Sequence, residues 1–197
     1  SIIRHTNGRG LYLEGQNGAN LTASLQNNAI HNHASDGIYL SATGTHTLVN
    51  ATVTNNQVYS NTNSGVYITH SGGTDTALTA TVTGNEIHTH NQYGIYLYSP
   101  SGSNSTFTTT VSNNQVHDSR YYGIQVENRS ATNDVQITGN TVYNTSYNWG
   151  IYVANSGNSP RLEMVNNTVY GCRDGGLYFY NSYSSGTVTP QIVGNTL

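Results

Sequence analysis

One spacing dominates this chain. A glycine followed by an apolar residue or tyrosine-bearing strand recurs at Gly10, Gly37, Gly65, Gly94, Gly123, Gly150 and Gly176, in steps of 26 to 29 residues. An asparagine recurs in the same range of steps at Asn28, Asn56, Asn85, Asn114, Asn140, Asn167 and Asn195. Two independent anchors keep one period of about 28 residues, so each repeat is a unit that buries its apolar face against its neighbours.

Inside a unit, apolar and polar residues alternate. In "LTATVTGNEIH", Leu78, Ala80 and Val82 point one way and Thr79, Thr81 and Thr83 the other. Period two means strands. Further short strands are expected at Val66-Tyr67-Ile68 and around Ile87, separated by turns rich in Gly, Asn and Ser. No segment has a helical period, which excludes leucine-rich, tetratricopeptide and ankyrin repeats. The pattern predicts an all-β, single-stranded parallel β-helix of about seven rungs, three short strands per rung, stacked ~4.8 Å apart into a rod roughly 34 Å long. The seven asparagines would then share one corner, each amide bonding to its copy on the next rung, as in stacked cross-β ladders. The glycine column is expected to turn a corner at positive φ.

The pattern carried by "NNQVYSNTNSGVYI", an asparagine anchor followed by a glycine and an apolar pair, resembles the right-handed parallel β-helix family of pectate lyases, polygalacturonases, alginate-modifying enzymes, phage tailspikes and surface adhesins. The resemblance covers the chain from Ile2 to Leu197. It implies the right hand of the helix. It implies no single function, because that scaffold hosts lyases, hydrolases, epimerases and inert stalks.

Composition narrows the partners. The 197 residues are read as one domain, 1–197, because the repeat is unbroken. Charged residues are 8%, lysine is absent and the formal net charge is −3, so there is no basic footprint for nucleic acid. The 35% of hydrophobic residues, placed in register, argue for a packed fold over disorder. No apolar run approaches the ~20 residues of a membrane span. Cys172 stands alone, so no internal disulfide forms, and it reads as a packed residue. No cofactor is expected.

Function must come from the outward columns. Tyr12, Tyr39, Tyr67, Tyr96, Tyr152 and Tyr178 each lie two residues after the glycine, with Gln125 breaking the row. Such a stripe either stacks on sugar rings or stacks on itself, and self-stacking is the reading preferred. A second column, Arg4, His31, Tyr59, His88, His117, Tyr143 and Tyr170, places two imidazoles side by side. His33 and His90 add nitrogens nearby, but they align with Asn61, Ser119, Thr145 and Cys172 and read as turn fillers, so no metal site is assigned. A third face carries Thr22, Thr52, Thr54, Thr79, Thr81, Thr83, Thr108 and Thr110 before giving way to Asp134, Gln136, Arg161 and Glu163; strand propensity explains it.

Catalysis on this scaffold needs convergent acids and bases. The nine carboxylates are scattered, and the tightest cluster is Asp118, Arg120, Glu127 and Arg129, with His117 beside it. It reads either as a polar site or as two solvated Arg–carboxylate pairs around a turn. The balance weighs against an enzyme.

The chain starts and stops at one phase of the repeat, Ser1 aligning with Asn28 and Asn195, and neither end carries a divergent capping unit. Uncapped rungs expose strand edges and favour head-to-tail stacking into a filament, or membership of a longer stalk. The expectation is an extracellular or cell-surface structural solenoid whose partner is itself. Six N-x-S/T sequons, at Asn20, Asn50, Asn104, Asn128, Asn144 and Asn166, are read as products of composition. The alternative is a carbohydrate-binding or polysaccharide-degrading module that uses the tyrosine stripe or the Asp118–Arg129 cluster.

Overall fold

The structure, a computed structural model, describes residues 1–71, 73–100, 104–129, 132–182 and 188–197. Their regular structure is all strand, and no helix among them is long and apolar enough to cross a membrane. The strands form three parallel sheets of seven strands each, and every sheet takes one strand from each circuit of the chain. One circuit runs Gln57–Tyr59, then Val66–Ser71, then Ala77–Thr83. We call the sheets these strands enter the short, aromatic and threonine sheets.

Register holds along the whole stack. Ile87 lies between Val58 and Val116, Leu97 between Ile68 and Val126, and Val82 between Val53 and Val111. These inward residues are fully or almost fully buried. Each fully buried Val, Ile or Leu contributes about 1.5–3 kcal/mol of apolar burial, so the core is a continuous column with no rung stable by itself. The ladder is irregular at one place, a register shift between Thr132 and Asp134 in the threonine sheet.

The corner from the threonine sheet to the short sheet explains the doubled asparagines. Asn27, Asn55, Asn113 and Asn166 have φ of 55°, 54°, 54° and 56°, and Gly84, Gly139 and Gly194 take the same place at 68°, 65° and 68°. Asn and Gly are the residues that enter the left-handed region at least cost. The turn therefore reads Asn-Asn or Gly-Asn: the first residue bends the chain and the second faces inward.

The other glycine column has a different cause from the one its spacing suggested. None of Gly10, Gly37, Gly65, Gly94, Gly123, Gly150 and Gly176 lies at positive φ. Instead, a Cβ added to Gly10, Gly37, Gly65 or Gly94 would sit 2.6, 2.8, 2.7 or 2.6 Å from the carbonyl oxygen of the next glycine in the column. That oxygen accepts the N–H of the residue after the glycine below, as Ile38 N–H to Gly65 O at 2.9 Å. Close approach, not chain reversal, requires the missing side chain.

Candidate functional site

The asparagine corner forms a closed bonding scheme. Asn56 Nδ2 and its main-chain N–H both donate to Asn85 Oδ1, at 3.0 and 2.8 Å, and the remaining Nδ2 hydrogen goes back to Leu25 O at 2.9 Å. Asn85 repeats this with Asn114 and Val53, Asn114 with Asn140 and Val82, and Asn140 with Asn167 and Val111. Asn28 opens the series onto Asn56, and Asn167 ends it on Asn195. Every buried amide between the ends has its oxygen and both hydrogens engaged, which removes the penalty of about 1–3 kcal/mol for each unmade buried bond.

The corner between the short and aromatic sheets copies this scheme with different side chains. His33, Asn61, His90, Ser119 and Thr145 are stacked there and buried. His33 N–H donates to Asn61 Oδ1 at 3.1 Å, Asn61 N–H to His90 Nδ1 at 3.3 Å, and Thr6 N–H to His33 Nδ1 at 3.3 Å. The residues read as turn fillers are therefore rung-to-rung connectors. At the third corner, where the aromatic sheet meets the threonine sheet, Ala42, His70, Ser99, Asn128, Asn155 and Asn181 share a column. His70 Nε2 lies 2.9 Å from Ser99 Oγ, which donates to Asn133 Oδ1 at 3.0 Å. Asn128, one rung on, is fully buried with neither amide atom bonded.

Two aromatic columns run up the outside. On the short sheet, His31, Tyr59, His88, His117, Tyr143 and Tyr170 stack with centroids 4.5, 5.2, 4.9, 4.6 and 5.0 Å apart and planes within 6°. On the aromatic sheet, Tyr12, Tyr39, Tyr67 and Tyr96 follow at 5.3, 5.1 and 4.8 Å, and Tyr152 and Tyr178 stack at 5.3 Å. Neighbouring rings occupy each other's faces, which leaves mainly their edges to a ligand. Arg9 covers Tyr39 at 3.6 Å. Burial pushes the Tyr67 phenol up to about 12, and raises that of Tyr96 further.

Gln125 interrupts the tyrosine row, and Tyr93 and Tyr122 lean across the gap, onto Tyr96 and Tyr152 respectively. Beside it opens a cavity of 440 Å³, lined by Glu127, Arg129, Tyr152, Ala154 and Tyr180 among others. Glu127 accepts from Gln125 Nε2 at 2.7 Å and from Arg129 Nη2 at 3.3 Å.

The polar cluster suggested by the sequence divides in two. His117 Nδ1 lies 2.8 Å from Asp118 Oδ2, and Asn144 Nδ2 donates to Asp118 Oδ1 at 3.2 Å. Burial works to raise the Asp118 carboxyl, but these hydrogen bonds outweigh it and hold it below the usual range. Arg120 lies over Tyr147 at 5.2 Å, and with Asp118 and His90 it lines a separate cavity of 450 Å³. Glu127 and Arg129 line the first cavity, so acid, base and cation do not converge on one point. Among the described residues, no group of three or more His, Cys, Asp or Glu side chains is placed to hold a metal ion.

The threonine face is a plain strand surface, with Thr83 Oγ1 3.0 Å from Ser112 Oγ, and it ends in an Arg161–Asp134 pair bonded at 2.8 and 2.9 Å. Cys172 Sγ lies against Tyr170 O at 3.4 Å. Of the sequons, Asn20, Asn50, Asn104 and Asn166 are exposed and Asn128 is buried; Ser130, the third residue of its sequon, lies outside the described residues. His33, His90, His70 and Gln125 were legible only as positions in a column, since the column varies in residue type where the bonding does not.

No curated protein and no solved structure matches the chain. The family comparison agrees with three parallel sheets wound once per repeat: the model of the right-handed β-helix region matches residues 9–197, and the chain belongs to that family.

Proposed function

We propose that this protein is a structural rod of the cell surface or extracellular space, built to be extended by stacking rung on rung with further copies of itself. The observation that supports this is the direction of the ladders. Each rung offers main-chain and Asn Nδ2 donors on one edge and Oδ1 acceptors on the other, and all three sheets are parallel, so the two edges of any rung are complementary. The rungs at either end of the described chain leave core-facing side chains part-covered, Leu11, Leu13 and Leu21 at one and Leu177 and Phe179 at the other. Seating one on the other buries that apolar area, and a head-to-tail contact without a closing rotation runs on as a fibre. The lysine-free surface with exposed sequons accords with an outside location. Negative-stain imaging at rising concentration tests it: rods should lengthen in unit steps, and Phe179→Asp should hold them at one unit with the β circular dichroism kept. Single short rods at every concentration contradict it.

A second reading is favoured by the one break in the tyrosine row. At Gln125 the ladder opens into a cavity with a carboxylate, a guanidinium and two tyrosines, Tyr152 and Tyr180, around small Ala154. Flat rings with a charged, hydrogen-bonding rim suit a polysaccharide. Retardation in gels containing acidic polysaccharides, lost in Tyr180→Ala and kept in Tyr12→Ala, would support binding there; equal mobility in all gels would remove it.

A further inference from the structure

All eight histidines lie between His5 and His117, and the remaining rungs have none. Two of them, His33 and His90, are built into main-chain bonding. His33 Nδ1 receives the N–H of Thr6 and His90 Nδ1 that of Asn61, both at 3.3 Å, while Nε2 lies 3.1 Å from Ile3 O and 3.2 Å from Val58 O. An N–H donor facing Nδ1 and a carbonyl facing Nε2 admit one state of the ring, neutral with the proton on Nε2. These are the two roles that Asn Oδ1 and Nδ2 play at the other corner. A second proton on Nδ1 would point at an N–H hydrogen, leave the rung-to-rung bond unmade, and place a charge in the core.

We propose that His33 and His90 form an acid latch: acidification opens the short-to-aromatic corner of the histidine-bearing rungs and leaves the rungs built on Thr145 and Cys172 closed. The groups facing each latch reinforce it. His31 and His5 face His33, and their charge also disfavours protonation. His88 and His117 face His90 with the same sign, while Asp118 and Arg120 line the cavity beside it. Burial is the main cause holding both rings below the ordinary imidazole value of 6.5, His90 down to about 3. His70, buried at the third corner beside Phe107, is pushed down to about 4 by burial and adds to the effect. In the unfolded chain all three take a proton near 6.5, whereas in the fold they resist it. Between those values the unfolded state binds more protons, so stability is full above 6.5 and falls as pH drops.

Hydrogen exchange with mass spectrometry, corrected for the intrinsic pH dependence of exchange, tests this on the whole chain. Between pH 7 and pH 4, protection should fall in residues 29–38 and 57–94 and persist in residues 132–171. His33→Asn with His90→Asn supplies the same acceptor and donor without a titrating ring, as Asn61 does between them. That variant should shift the acid midpoint down by about one pH unit or more. Protection lost evenly along the chain, or an unchanged midpoint in a folded variant, overturns the latch. If the variant does not fold, the imidazole C2–H resonances of the native protein decide. Titration of His33 and His90 near the ordinary value overturns the proposal, and the absence of titration until the rungs open supports it.

Discussion

Two corners of this solenoid solve one problem with different residues. Each must give an acceptor to a main-chain N–H of the rung below and a donor to a carbonyl further down, in a core without water. The threonine-to-short corner does so with asparagine on rung after rung; the short-to-aromatic corner uses histidine, asparagine, histidine, serine and threonine. The difference follows from the turns. At the first corner a single left-handed residue precedes the amide, so the inward side chain arrives at one height and one angle and only asparagine spans both bonds. The second corner leads into longer turns, whose own side chains share the bonding, as Thr145 Oγ1 does by donating to Asn148 O at 2.6 Å.

The largest effect is expected inside the asparagine ladder. Asn114→Leu strands the donors of Asn85, the carbonyl of Val82 and the oxygen of Asn140. At about 1–3 kcal/mol for each buried group left unpaired, a loss of about 3–6 kcal/mol should appear in urea denaturation. Ser119→Ala, at the other corner, removes a hydroxyl with no hydrogen-bond partner and should cost less than about 1 kcal/mol. Equal losses would erase the distinction between the corners.

The glycine column sharpens the comparison with smaller numbers. Gly94→Ala places a Cβ 2.6 Å from Gly123 O, whereas at Gly8 nothing lies within 4 Å. The first should destabilise by about 1–3 kcal/mol and the second leave thermal unfolding where it was. Asn128→Val should stabilise, by about 1–2 kcal/mol, because it removes two buried polar atoms that bond to nothing.

The smallest effect lies on the aromatic sheet. Burial raises Tyr67 to about 12, above the ordinary phenol value of 10, so the unfolded chain loses this proton first and stability falls as pH rises past 10. Absorbance titration at alkaline pH should show a late-ionising fraction that merges with the rest in urea.

Much of this was legible in the sequence, and for identifiable reasons. The period fixed the rungs, and Leu78-Thr79-Ala80-Thr81-Val82 fixed which face is inward, because alternation reports burial directly. The asparagine column was legible because one residue type meets the geometric demand. His33 and His90 were not, because a column of mixed residues conceals a constant bonding role. The glycines were found but their cause was not: left-handed φ and close approach both select glycine, and the spacing does not separate them. Asp118 and Glu127, nine residues apart and on one rung, read as neighbours, yet the turn and strand between them place them at different cavities.

The measurement that tests the account most directly is a double-mutant cycle in urea on Asn85→Leu and Asn114→Leu, adjacent amides in the ladder. If side-chain bonds between rungs hold the stack, the pair should cost less than the two single losses added, with a coupling above about 1 kcal/mol. Strictly additive losses would mean that the amides act separately, and would contradict a solenoid held by its corners.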